Sequence, residues 1–147
     1  MQGKVLIIIS KYYKDISENL LKSATTFLEE NFIKFDLIEV PGALEIPQAL
    51  NLQQNISENK GLSYEGYIAL GCVIKGETYH FEIVSNETCR GLMNVALKYS
   101  FPLGNGVITA YDYDQALKRS LVKGGEAASA CYELIKIKNC NNNVDKN

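Results

Sequence analysis

Apolar residues along the chain switch between two periods. Val5-Leu6-Ile7-Ile8-Ile9 is an uninterrupted, largely β-branched run, the pattern of a strand buried on both faces of a parallel sheet. From Ile16 the spacing changes. Ile16, Leu20, Leu21, Ala24, Phe27 and Leu28 recur at three- and four-residue steps, the stripe of a helix. Phe35-Asp36-Leu37-Ile38-Glu39-Val40 predicts a second strand closed by Pro41-Gly42, and Leu44, Ile46, Ala49 and Leu50 predict a second helix. Residues 51–63 are polar and predict a loop. Tyr67-Ile68-Ala69-Leu70-Gly71-Cys72-Val73-Ile74 predicts a third buried strand. A long helix follows over residues 81–99, with Ile83, Val84, Leu92, Val95, Ala96 and Tyr99 as candidate core residues. Gly106-Val107-Ile108-Thr109-Ala110 predicts a fourth strand. A short helix over residues 113–120 comes next, then Gly124-Gly125, then an Ala-rich helix over residues 126–138. The Asn-rich residues 139–147 lack an apolar period and predict a disordered tail after a single domain of residues 1–138.

Four strands with intervening helices imply right-handed βαβ crossovers. The expected fold is α/β: a three-layer, doubly wound sandwich around a four-stranded parallel sheet. Ligands in such sheets sit beyond the carboxyl ends of the strands. The segments that follow Ile9, Val40, Ile74 and Ala110 therefore carry the candidate chemistry.

Composition narrows the function classes. The chain has 147 residues, 46% of them hydrophobic, and a formal net charge of -2. This suits one globular domain and supplies no basic stripe for nucleic acid. The apolar run of residues 5–9 is too short for a membrane span, and no cleavage-site pattern follows it. Cys72, Cys89, Cys131 and Cys140 lie far apart without a CxxC motif, and read as reduced cytoplasmic thiols. There is one His and no Cys/His cluster with zinc spacing.

Each strand end permits more than one reading. After the first strand, Tyr12 or Tyr13 could stack on a flat heterocycle, but position alone favours a cap on the sheet edge. After the second, Glu45 falls in the first turn of a helix, where a carboxylate gains from the dipole. Locally, capping outweighs a role as acceptor for ligand hydroxyls. After the third comes Lys75-Gly76-Glu77-Thr78-Tyr79-His80-Phe81. Gly76 lets backbone approach a ligand, Thr78 adds a hydroxyl, and the following helix N-terminus favours an anion. His80 is suited to moving protons in both directions, and its setting tilts the balance from helix cap toward function. After the fourth, Asp112 is a plausible N-cap. Arg119 suits bidentate phosphate binding better than a lysine, although charges of this kind, such as Arg119 and Lys123, are more often simply solvated. A Cys72–His80 nucleophile–base pair is disfavoured, because a mid-strand Cys behaves as a small buried hydrophobe and no G-x-S-x-G elbow is present.

Together, VPGALEIP at residues 40–47, LGCVIKGETYHFEIV at residues 70–84 and the segment from Arg119 to Gly124 resemble the signature segments of lumazine synthases. The resemblance extends in order and spacing from the first strand to the last helix. It implies a flavodoxin-like sandwich and a cofactor-free transferase of riboflavin biosynthesis. The implied reaction condenses 5-amino-6-(D-ribitylamino)uracil with 3,4-dihydroxy-2-butanone 4-phosphate. The product is 6,7-dimethyl-8-ribityllumazine, with phosphate and water released. The resemblance further implies that Tyr12 stacks on the pyrimidine and that Glu45 meets the ribityl hydroxyls beside Gly42, Ala43 and Leu44. Val73 and Ile74 offer backbone to the pyrimidine edge, and Gly76, Glu77 and Thr78 hold the phosphate. His80 is the implied catalytic residue. Arg119 pairs with phosphate and Lys123 lies near the heterocycle, both from a neighbouring subunit. The chain departs from the common pattern at Lys11-Tyr12-Tyr13, at Lys75 and at Asn105, which stands where an aromatic residue often faces the lumazine. The short segment between Arg119 and Lys123 lacks the turn of shell-forming members. It predicts a homopentamer or a dimer of pentamers. The rival readings are a non-catalytic lumazine or flavin binder, a scaffold, and an FMN protein. The last lacks a phosphate cradle after the first strand.

Overall fold

The computed structural model describes residues 3–61 and 63–144. The elements run β1 (Lys4–Ser10), α1 (Lys14–Glu30), β2 (Lys34–Val40), α2 (Glu45–Lys60), β3 (Gly66–Ile74), α3 (His80–Tyr99), β4 (Leu103–Ala110) and α4 (Tyr113–Val144). The strands form one parallel sheet in the order β2-β1-β3-β4. Ile7 of β1 pairs with Leu37 of β2 on one side and with Ile68 of β3 on the other. The expected α/β sandwich with a four-stranded parallel sheet is the fold observed.

The unbroken apolar run of β1 is explained by its central place. Val5, Ile7 and Ile9 point into a core shared with Ile16, Leu20 and Leu28 of α1 and Ala116, Ala127 and Cys131 of α4. Leu6 and Ile8 point the other way, into a core with Ile46 and Leu50 of α2 and Val84 and Leu92 of α3. All five are fully buried, each contributing about 1.5–3 kcal/mol. Of the core residues expected on α3, Val84 and Leu92 are buried and Val95, Ala96 and Tyr99 pack at the core margin, but Ile83 is exposed.

Three expectations are corrected. Most of the polar stretch assigned to a loop is helix, since α2 continues to Lys60. Its polar side chains are partners for tyrosines: Tyr67 Oη donates to Gln54 Oε1 at 2.9 Å, and Tyr99 Oη donates to Asn51 Oδ1 at 2.9 Å. Buried hydroxyls require acceptors, and α2 supplies them. The two helices expected around Gly124-Gly125 are one helix. The glycines mark where α1 crosses α4: a Cβ on Gly124 would land on the Leu20 carbonyl oxygen, and the Gly125 amide donates to Ser23 Oγ at 3.0 Å. The close approach, not a break, is what demands Gly. Gly124→Ala is therefore expected to destabilise the fold by about 3 kcal/mol through overpacking, measured by chemical denaturation. Finally, α4 runs on through residues 139–144 of the expected disordered tail. The remaining tail positions, 145–147, lie outside the described residues.

Candidate active site

In the order β2-β1-β3-β4 the chain leaves β1 in one direction for β2 and in the other for β3. Such a reversal opens a crevice at the carboxyl ends of the strands. A cleft of about 340 Å³ lies there. Tyr12 and Tyr13 line it from the end of β1, Gly42 to Glu45 from the end of β2, and Cys72 to Ile74 from β3 itself. Gly76, Thr78, His80, Phe81 and Val84 close the remaining side. Ten of the expected site residues are thus brought together: Tyr12, Gly42, Ala43, Leu44, Glu45, Val73, Ile74, Gly76, Thr78 and His80.

Two helices start at this cleft, α2 at Glu45 and α3 at His80, and neither has a side-chain cap from its N-cap residue. Helix geometry leaves first-turn amides without intrahelical partners, so both ends favour an anion or an oxygen-rich ligand. On α3 the His80 amide donates weakly to Thr78 Oγ1, at 3.4 Å. The His80 side chain is exposed on the cleft wall. Glu45 is half-buried in the first turn of α2. A Cβ on Gly76 would meet open space, so a glycine here leaves room at the wall without serving the fold.

Cys72 sits on the cleft floor. Burial pushes its thiol up to about 12, so it stays protonated and offers no nucleophilic thiolate at neutral pH. Burial likewise raises Tyr13 above the usual tyrosine range, with smaller contributions from Cys72 and Tyr12.

The other expected site residues lie elsewhere in the single chain. Glu77 is exposed and does not line the cleft. Arg119 and Lys123 border a separate hollow of about 230 Å³ with Val107, Ile108, Thr109, Val122 and Glu126, on the β4 edge of the sheet. Neither has an ion-pair partner among the described residues. Asn105 lines an apolar groove between α3 and α4, beside Met93, Leu97, Leu134 and Ile137. Its Oδ1 accepts from the Val107 amide at 3.0 Å. Asp112 is the N-cap expected, accepting from the Gln115 amide at 2.9 Å.

Three residues of the cleft had no expected role there: Cys72 and Val84 read as buried core, and Phe81 as the start of the long helix. A signal was present for Val84. It stands four residues after His80, so helical spacing puts both on one face of α3.

Residues 2–139 match the family model described as 6,7-dimethyl-8-ribityllumazine synthase. The chain belongs to that family. Proteins named 6,7-dimethyl-8-ribityllumazine synthase include one from Afipia carboxidovorans, 45% identical over 140 residues, covering 92% of this chain and 86% of the relative. Another, from Azorhizobium caulinodans, is 46% identical over 140 residues with the same coverage. A third, from Agrobacterium fabrum, is 45% identical over 138 residues, covering 91% of this chain and 93% of the relative. The lumazine synthase match spans the whole cleft and the β4 hollow, and α4 continues past its end to Val144. No helix among the described residues is long and apolar enough to cross a membrane. Among the same residues, no group of three or more His, Cys, Asp and Glu is placed to hold a metal ion.

Proposed function

We propose that the cleft at the switch point is where the chain condenses 5-amino-6-(D-ribitylamino)uracil with 3,4-dihydroxy-2-butanone 4-phosphate, with a neighbouring copy completing each site. Family membership carries the reaction itself, a transferase step of riboflavin biosynthesis that forms 6,7-dimethyl-8-ribityllumazine. The single observation that supports the location is the convergence of Tyr12, Glu45, Thr78 and His80 on one cleft from three strand ends.

In this reading Tyr12 stacks on the pyrimidine, and the backbone of Val73 and Ile74 meets its edge. Glu45, with Gly42, Ala43 and Leu44, accepts from the ribityl hydroxyls. The phosphate lies at the start of α3 beside Gly76 and Thr78, with Glu77 outside on the same loop. The substrate amine adds to the ketone and water leaves to form an imine. Phosphate is then eliminated, and the ring closes with loss of a second water. His80 takes and returns protons at the nitrogen and at the departing groups. No electron transfer is needed, so the reaction is read as independent of a cofactor.

Arg119, Lys123 and Asn105 are assigned to the site of an adjoining copy. The β4 side supports this. Val122 is 53% exposed beside Arg119 and Lys123, and Met93, Leu97 and Ile137 are at least 60% exposed around the groove. Apolar area on this scale next to an uncovered edge strand favours self-association. A homopentamer, or two pentamers face to face, is the assembly proposed. The four free cysteines fit a reducing compartment and support a cytoplasmic location.

The test is direct. Purified protein given both substrates is expected to produce lumazine absorbance together with stoichiometric phosphate. Binding of lumazine without product formation would refute the catalytic assignment.

A further inference from the structure

Three tyrosines from two distant segments meet at the mouth of the cleft. Tyr12 and Tyr13 come from the β1–α1 connection, and Tyr113 is the first residue of α4. Their rings meet edge to face: centroids are 5.0 Å apart at 75° between Tyr12 and Tyr13, and 6.4 Å apart at 66° between Tyr13 and Tyr113. The Tyr113 hydroxyl donates to Asp15 Oδ2 at 3.4 Å, joining the first turn of α4 to the first turn of α1.

The backbone beneath these rings is already fixed. Ser17 is buried, and its hydroxyl donates to the Tyr13 carbonyl at 2.7 Å, with the Ser10 carbonyl a second acceptor at 3.3 Å. That ties both ends of the connection to α1, and the Tyr13 ring packs in part against the core between α1 and α4. The rings on either side add to that hold on its cleft-facing part, and the two differ in how firmly they are placed. Tyr12 is 75% exposed, whereas Tyr113 is 41% exposed and its hydroxyl makes a long contact to Asp15 at 3.4 Å. Tyr13 lines the cleft and Tyr113 does not, so Tyr113 acts on a ligand only through Tyr13.

We propose that Tyr113, anchored by Asp15, is a positioning residue that fixes the Tyr13 ring as a wall of the aminopyrimidine subsite and thereby sets affinity for that substrate. The proposal rests on the assignment of the cleft given above. The Tyr13 hydroxyl, protonated at neutral pH like any tyrosine, is then a donor held on that wall. Tyr12 and Tyr13 enter the cleft from the end of β1, where the aminopyrimidine is assigned, whereas the ketose phosphate is assigned to the start of α3, so the effect is expected on the first substrate.

Tyr113→Leu keeps apolar volume but removes the ring edge and the hydroxyl. It is expected to raise KM for the aminopyrimidine about tenfold, the upper range of an edge-to-face pair. Turnover should stay within about twofold, and KM for the ketose phosphate should not move. Tyr113→Phe, which keeps the ring, is expected to restore KM to within about threefold of wild type. Asp15→Ala removes only the anchor and tests the same point if Tyr113→Leu fails to fold, with an expected rise of about threefold in the same KM alone. An unchanged aminopyrimidine KM in Tyr113→Leu overturns the proposal. So does a parallel change in both KM values with a lower melting midpoint, which is what mere packing of α1 on α4 would give. Tyr12→Ala separates the two levels of the argument. If it raises the aminopyrimidine KM while Tyr113→Leu does not, the positioning role falls and the cleft assignment stands. If neither moves it, both fall.

Discussion

His80→Ala is expected to lower turnover by about 10²–10⁴-fold, the range of a positioned general acid–base group, while leaving measurable lumazine formation. The activity that survives comes from positioning. Tyr12, Glu45 and the start of α3 still converge on the cleft without the imidazole. Holding two reactants in attacking geometry can be worth roughly 7–11 kcal/mol by itself. The imidazole is exposed on the cleft wall at the first position of α3, so its removal leaves no cavity in either core and should leave the melting midpoint unchanged. Steady-state kinetics with both substrates saturating checks this. Full turnover in the variant would remove His80 from the proton-transfer role.

Arg119→Ala is expected to lower kcat/KM for the ketose phosphate by about 10²-fold, as for loss of one preorganised donor to developing charge. KM for the aminopyrimidine should be much less affected. Arg119 lies in the β4 hollow, away from the cleft of its own chain, so a stronger experiment is available. Subunits carrying His80→Ala and subunits carrying Arg119→Ala, unfolded together and reassembled, should recover part of the activity that each lacks. Some sites in the mixed particle then draw an intact His80 from one chain and an intact Arg119 from the next. If mixing restores nothing, or if Arg119→Ala alone matches wild type, the guanidinium does not reach the site from an adjoining copy.

The fold was legible where one physical demand dominates a segment. The five consecutive apolar residues of β1 could only be a strand covered on both faces, and from four such strands the crevice and its bordering loops followed. Legibility failed where a polar or flexible residue serves a partner far away in sequence. Asn51 and Gln54 look like loop residues until the hydroxyls of Tyr99 and Tyr67 are placed over them. Gly124 looks like a helix end until the Leu20 carbonyl is found against it. The candidate site divides along the same line. His80, Glu45 and Gly76 stand at strand ends of their own chain and could be located from pattern. Lys123 and Asn105 owe their expected roles to the family resemblance, and Arg119, chemically suited to phosphate, owes it its place in the site, because all three lie away from the cleft of their own chain.

The unbroken α4 has a mechanical meaning. Arg119 and Ile137 stand eighteen residues apart on one helix, about 27 Å at 1.5 Å per residue. One end borders the hollow with the cations and the other borders the apolar groove. A rigid rod of this kind gives no independent freedom to its two ends. In the proposed assembly a neighbour that docks on the greasy end has its distance and bearing to the charged end set in the same act, so dissociation by dilution is expected to silence the chemistry as well.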